Sequence, residues 1–450
     1  MTPATVYPRY AEHRLLEALE DSPVVLINGP RQCGKTTLAQ TICAPEYLGS
    51  PSRERIAANI SHSGAYSIRG KYDYISLDDD NLRVGAQEDP VGFVDDLPDN
   101  VVLDEVQRAP ELFTALKVAV DRDRTPGRFV LTGSSNILLL ERLADSLAGR
   151  QEVVRLHPLS QGEIEAGVTH LEDTVPHADP TTDFLGRIFG DGFRISRSAR
   201  LGRQLYSRIV AGGFPPALAR TAAHRRAAWC RAYAEAHVQR DVRDMARIRS
   251  LDVIPRLLNA AASQTAKLYN LSELAAPFQL SRQTIGDYVT LLERVFLLEK
   301  LPPWHGGRGQ RLLKTPKLHL GDTGLGCALL GLDEEALATN REVRSSLLET
   351  FVFQELRRQA SWSINPHSFY YYRDKDQQEV DIVVERGSLA VAGVDVKAAA
   401  TVVSSDFRGL RKLKRIAGSR FTNGVVLYDG ETVTRFGDRL YAVPIRHLWK

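Results

Sequence analysis

Val24-Val-Leu-Ile-Asn28 runs directly into Gly29-Pro30-Arg31-Gln32-Cys33-Gly34-Lys35-Thr36-Thr37, so a short β-branched strand meets a glycine-bounded loop. The loop fits G-x-x-x-x-G-K-[ST], and Thr37 begins a helix. Glycines let such a loop wrap so that successive backbone N–H groups point at phosphate oxygens. The helix that follows aims the positive end of its dipole at the same anion. Lys35 is the point charge for β- and γ-phosphates, and the Thr36 hydroxyl is a magnesium ligand. The expected ligand is therefore ATP with Mg2+, held by residues 29–37.

Outward from this loop, short apolar runs alternate with helical stretches through residue 160. The runs are Val24–Asn28, Tyr74–Leu77, Val101–Leu103, Phe129–Thr132 and Val153–Leu156. The first four are followed by Gly or Asp, the pattern of buried parallel strands covered by helices on both faces. The expectation is a doubly wound five-stranded α/β core. The run Val101-Val-Leu-Asp104-Glu105 ends in two acids at the sheet edge where ligands collect. Asp104 is expected to hold magnesium through water, and Glu105 to polarise the attacking water. At the end of Phe129–Thr132, four polar residues (Thr132, Ser134, Ser135 and Asn136) are candidates for sensing the γ-phosphate. Arg150 follows the next helix, where an arginine finger would reach a neighbour's γ-phosphate in a homo-oligomer.

Composition sets outer limits. The chain has 450 residues, 43% hydrophobic and 25% charged, with a formal net charge of +3. That balance selects neither a nucleic-acid partner nor its absence. Four cysteines without CxxC spacing exclude a disulfide framework or a structural zinc site as the organising principle. Residues Met1–Tyr10 contain no apolar signal segment and no run approaches 18 apolar residues, so a cytoplasmic protein without a membrane span is expected.

Past the core the pattern changes. Residues 167–200, with Pro176, Pro180, Gly186, Gly190 and Gly192, read as a long loop or insertion, and Gly49–Gly70 reads similarly. Residues 202–300 turn helical. Ser272–Phe278, the turn Gln279-Leu280-Ser281 and Arg282–Leu298 have helix-turn-helix spacing, with Ser281 as N-cap. Arg282, Gln283 and Thr284 then lie where recognition helices read base edges. Residues 299–320, with Trp304, Arg308, Arg311, Lys314 and Lys317, are expected to form a wing. Strands return at Phe369–Tyr372, Val380–Val384, Leu389–Val396, Gly424–Tyr428 and Arg439–Val443. The turn Arg386-Gly-Ser388 joins two of them into a hairpin that brings Asp381 diagonally opposite Asp395. Asp395 and Lys397, two apart on a strand, share a face. Two carboxylates with a neighbouring lysine can hold magnesium and activate water.

The chain resembles the prokaryotic AAA-type P-loop ATPases whose C-terminal half is a domain of unknown function. The residues that carry the resemblance are Gly29–Thr37, Leu77-Asp-Asp79, Leu103–Leu112, Leu131–Ser135, Ser146–Arg150, Gly212-Gly-Phe-Pro215, Arg240-Asp241, Pro316-Lys317, Gly321–Leu325, Glu379-Val-Asp381 and Val394-Asp-Val-Lys397. The resemblance implies an ATPase core, a helical and winged-helix middle, and an α+β restriction-endonuclease-like C-terminal domain. The expected boundaries are 1–160, 161–245 (insertion and lid), 246–330 and 331–450. The D…DxK arrangement resembles the catalytic pattern of such nucleases, and Glu349 on the helix Leu347–Gln359 would supply a third carboxylate, with Glu355 as the fallback. Thr350 stands where the family often has Asn.

Three functions compete at this level. One is an ATP-driven switch whose C-terminal half engages a nucleic acid or a protein. Another is an ATP-regulated, metal-dependent nuclease acting on DNA or RNA through Glu349, Asp381, Asp395 and Lys397. The third is an interaction protein that binds nucleotide for stability alone; the intact Glu105 argues against it.

Overall fold

The computed structural model describes residues 7–43, 71–134, 147–168, 183–238, 253–306 and 315–449. The chain forms two compact units. The first is built from the chain through Leu159 and the helical segment that starts at Glu163; most of the remainder forms the second.

In the first unit the described strands are β1 (Val24–Asn28), β2 (Asp73–Ser76), β3 (Val101–Asp104), β4 (Phe129–Gly133) and β5 (Gln151–Arg155). They form a parallel sheet in the order β2-β3-β4-β1-β5. Alternation along each strand explains the two cores. Val24, Leu26, Val101, Leu103, Phe129 and Leu131 pack with Leu112, Phe113, Leu116 and Val120 of the helix Leu112–Arg122. Val25, Ile27, Val102 and Val130 face the other way, against Leu15, Leu19, Leu38 and Ile42. This is the doubly wound sheet of a P-loop nucleotide triphosphatase fold. The strand β5 starts two residues before the apolar run because it is an edge strand. Its polar Glu152 is free to pair with Arg14 at 2.9 Å.

The second unit holds a small sheet, ordered β6-β8-β7, from β6 (Lys267–Leu268), β7 (Leu298–Leu301) and β8 (Lys317–Leu320). Its larger sheet contains β9 (His367–Arg373), β10 (Glu379–Arg386), β11 (Ala390–Lys397), β12 (Phe421–Tyr428), β13 (Thr434–Gly437) and β14 (Leu440–Pro444), in the order β13-β14-β12-β11-β10-β9. Strands β9, β10 and β11 are antiparallel, whereas β11, β12 and β14 are parallel. The helix Arg341–Trp362 buries Leu348, Phe351, Val352 and Leu356 on one face of this mixed sheet. The helix Arg408–Ala417 buries Leu410 and Leu413 on the other.

Several local expectations change here. The second helix of the expected helix-turn-helix pair spans Arg282–Arg294, and Leu298 opens β7 instead of closing the helix. Phe296, at φ 62°, makes the left-handed turn that ends it. Ser281 does cap that helix, its hydroxyl accepting the Thr284 N–H at 3.0 Å. Part of the segment expected to be loop is a helix, Phe184–Phe189, capped by Asp183. Phe184, Leu185, Ile188 and Phe189 join the core of the larger sheet, so glycines around an apolar turn hid a packing element. Trp304 and Lys317, read as wing residues, are buried. The Trp304 indole N–H donates to Glu385 at 2.8 Å, and its ring lies among Tyr372, Val380 and Val383. The wing residues Arg308, Arg311 and Lys314, the sensor candidates Ser135 and Asn136, the pair Arg240-Asp241, and the insert before β2 lie outside the described residues.

Candidate functional site

Strands β1, β3 and β4 deliver their C-terminal ends to one edge of the parallel sheet, with Asn28 in register with Gly133. The loop after β1 requires glycine at two points, for different reasons. A Cβ on Gly29 would meet the Leu156 carbonyl oxygen at 1.9 Å, and Gly34 adopts φ 102°, open only to glycine at low cost. Gly34 caps the helix Lys35–Gln40 without any side-chain hydrogen bond. Its first N–H groups thus meet no capping side chain. Pro30, Arg31, Gln32 and Cys33 form the body of the loop. Gln32 is left-handed at φ 58°, while Cys33 is buried with its thiol 3.6 Å from the Leu156 carbonyl. Burial pushes that thiol up from its ordinary value. Cys33 therefore offers the loop its backbone, and its side chain belongs to the core. Thr37 is exposed on the first helical turn.

Side chains converge where this loop faces β3. The Lys35 ammonium donates to the Pro30 carbonyl at 2.9 Å. The Thr36 hydroxyl lies 3.2 and 3.1 Å from the two Asp104 carboxylate oxygens. Tyr74 donates to the same carboxylate at 2.6 Å, and Thr132 donates to its other oxygen. Burial, followed by the Asp104 charge, raises the Tyr74 phenol. The donor set is hydroxyl and carboxylate oxygen, which suits a hard divalent cation. The cradle with its missing Cβ atoms suits an anion. These residues fit magnesium and a polyphosphate together.

Glu105 follows at φ 59°, a strained conformation for a non-glycine residue. Its N–H donates to the Thr132 hydroxyl at 3.1 Å. Its carboxylate accepts from Ser134 at 3.1 Å and from the Gln107 amide, which also reaches Ser134 at 2.9 Å. Arg9, near the start of the chain, braces the loop. Its guanidinium bonds the Cys33 carbonyl, the His157 carbonyl at 2.7 Å and Glu163 at 3.0 Å. Arg150 is paired within its own unit. It meets both Asp121 oxygens, at 2.7 and 3.0 Å, on the helix Leu112–Arg122.

The second unit carries the other candidate cluster. The register of β10 and β11 pairs Ile382 with Val394, so Asp381 falls directly across from Asp395, not on the diagonal. The cause is the turn, which is Gly387–Leu389, with Arg386 still in the strand. Asp381 accepts the Val396 N–H at 2.8 Å, and Lys397 lies 3.3 Å from Asp395. Lys317 enters this group from β8. Its ammonium is 2.7 Å from Glu349, 3.7 Å from Asp381, and in contact with Glu379. Burial pushes Glu349 up to about 8 against the opposing pull of Lys317. Burial and the Asp381 charge raise Asp395 well above the usual carboxylate range. Asp381 is held below that range because Lys317 and Lys397 outweigh its own burial. Glu355, the fallback acid, is instead paired with Arg358 at 2.6 Å.

Residues 21–165 match the AAA domain family. Residues 202–336 match a domain of unknown function (DUF8612), and residues 344–448 match another (DUF4143). Two curated relatives, uncharacterized proteins of Mycobacterium bovis and Mycobacterium tuberculosis, are each 27% identical over 439 residues. The match spans 97% of this chain and 83% of each relative. Among solved structures, a Walker-type ATPase of Pyrococcus abyssi is similar at a TM-score of 0.41 and 15% identity. That match covers 73% of this chain and 98% of the other. The AAA-domain match and the parallel sheet agree on a P-loop AAA-type ATPase domain at the N-terminal end. No helix among the described residues is long and apolar enough to cross a membrane.

Proposed function

We propose that this protein is a magnesium-dependent ATPase whose nucleotide cycle controls a C-terminal half that engages a nucleic acid or a protein partner. The observation that carries the reading is the meeting of Lys35, Thr36, Asp104 and Glu105 at one sheet edge. Lys35 and the backbone N–H groups of residues 29–37 other than Pro30 would hold the phosphates, and Thr36 with Asp104 would hold the ion. Magnesium, when bound with nucleotide, supplies neutralisation of phosphate charge. Glu105, beside that carboxylate, is the base that orients and polarises water. Ser134 touches Glu105 and is placed to report on the phosphate end of the site.

ATP turnover tests this directly. Lys35→Ala is expected to abolish nucleotide binding, whereas Glu105→Gln should retain binding and lose turnover. Unchanged turnover in Glu105→Gln would remove the assigned base. For the C-terminal half, the exposed Arg282 and Gln283 at a helix N-terminus favour a nucleic acid as the partner. Affinity for duplex DNA that falls steeply with salt and weakens in Arg282→Ala supports that choice.

A further inference from the structure

Acids from the helix Arg341–Trp362 and from β10 point at a single nitrogen in the second unit. Lys317 is only 3% exposed, and its Nζ lies 2.7 Å from Glu349 Oε1 and 3.7 Å from Asp381 Oδ1, with Glu379 Oε1 in contact. Convergent carboxylate oxygens are what a hard divalent ion requires. Here the centre of convergence is an ammonium. We propose that Lys317 is the resident cation of the D…DxK cluster, so that this cluster does not take up a divalent metal in the native protein.

Strand pairing fixes where that nitrogen starts. Lys317 is in register with Leu301 on β7 and Leu268 on β6. Its ammonium lies over the Tyr371 ring, 5.6 Å from the ring centre. Withdrawing the ammonium means breaking two or more charge-assisted contacts in a largely buried setting. A dication placed between Glu349 and Asp381 would also stand a few ångström from this positive charge. Two further acceptor oxygens are engaged, since Asp381 Oδ2 takes the Val396 N–H at 2.8 Å and Asp395 Oδ1 faces Lys397 at 3.3 Å. The cluster thus keeps the residue types of a hydrolytic metal site while its own side chain supplies the cation. This is independent of the ATPase reading and removes the nuclease alternative for the native chain.

Manganese binding by the full-length, nucleotide-free protein, followed by electron paramagnetic resonance, tests the proposal. The P-loop region contributes equally to every variant compared. Wild type is expected to bind as many Mn2+ ions as Asp381→Asn and Glu349→Gln, because the cluster holds none. Lys317→Met should gain one equivalent, which Lys317→Met/Asp381→Asn loses again. Loss of a bound Mn2+ from wild type on Asp381→Asn overturns the proposal, as does a folded Lys317→Met that gains none. If Lys317→Met does not fold, the comparison of wild type with the two single acid variants still decides. Mn2+-dependent cleavage of DNA or RNA by wild type that disappears in Asp381→Asn is equally fatal.

Discussion

A methyl group on Gly29 would stand 1.9 Å from a backbone carbonyl oxygen, an atom that cannot rotate away. Gly29→Ala is therefore expected to destabilise the ATPase unit by roughly 1–3 kcal/mol through overpacking. Thermal unfolding would show this as a lower Tm, and an unchanged Tm would mean the loop has room to shift. Gln107 offers a different kind of prediction. Its amide donates to the Glu105 carboxylate and to Ser134, which withdraws electron density from the proposed base. Gln107→Ala should raise basal kcat several-fold at unchanged KM; a fall like that of Glu105→Gln would make Gln107 a positioning residue. The two glycines and the Lys35-Thr36 pair were legible because their spacing in the chain is itself the geometry. Arg9, Tyr74, Gln107 and Lys317 were not, since each acts through a contact that only the fold brings together. Tyr74 and Asp104, for instance, meet across neighbouring strands 30 residues apart.

Elements differ in how openly the sequence declares them. Buried parallel strands announce themselves as unbroken β-branched runs, and four of the five strands in the first sheet lie within a residue of the expected bounds. The edge strand β5 does not, because one side meets solvent and tolerates Gln151 and Glu152. The hairpin register shifted by one step because Arg386, exposed in character, continues the strand before Gly387 turns at φ 61°. Arg150 is the element-scale question for catalysis, since its bidentate bond to Asp121 makes it part of the helix Leu112–Arg122 surface. If it serves a neighbouring copy's phosphate, Arg150→Ala should lower turnover while Asp121→Ala leaves it intact or raises it. Equal loss of stability in both variants, with turnover unaffected, would leave the pair a structural clasp. On β9, His367 is held down to about 4, first by burial and then by the Arg386 charge. Because the folded value lies below the ordinary 6.5, the neutral ring favours folding. Stability of the second unit should be full above about pH 6.5 and drain away as pH falls toward about 4. His367→Gln should flatten that slope in thermal unfolding monitored across this pH range, and an unaltered slope would remove His367 as the cause.

At the scale of the whole molecule, the ATPase site and the lysine-filled cluster belong to separate compact units, and the proposed function requires the first to influence the second. A ligand shifts an equilibrium only by its differential affinity for two states. If ATP merely binds, its stabilisation stays within the unit that holds it, on the order of 3 kcal/mol at a hundredfold excess over Kd. If ATP is a switch, amide exchange in residues 344–448 must respond to nucleotide bound in the first unit. Hydrogen exchange of Glu105→Gln with Mg-ATP, compared with the nucleotide-free protein, separates the two. The expected result is altered protection in β9 to β12 that Lys35→Ala abolishes, because without phosphate binding there is no differential state to favour. Protection confined to the parallel sheet of the first unit would leave an ATPase without an output and sink the switch. Repeating the comparison in Lys317→Arg keeps the resident charge while changing its shape. A response that survives there would assign the coupling to the unit as a whole and not to the cluster's own geometry.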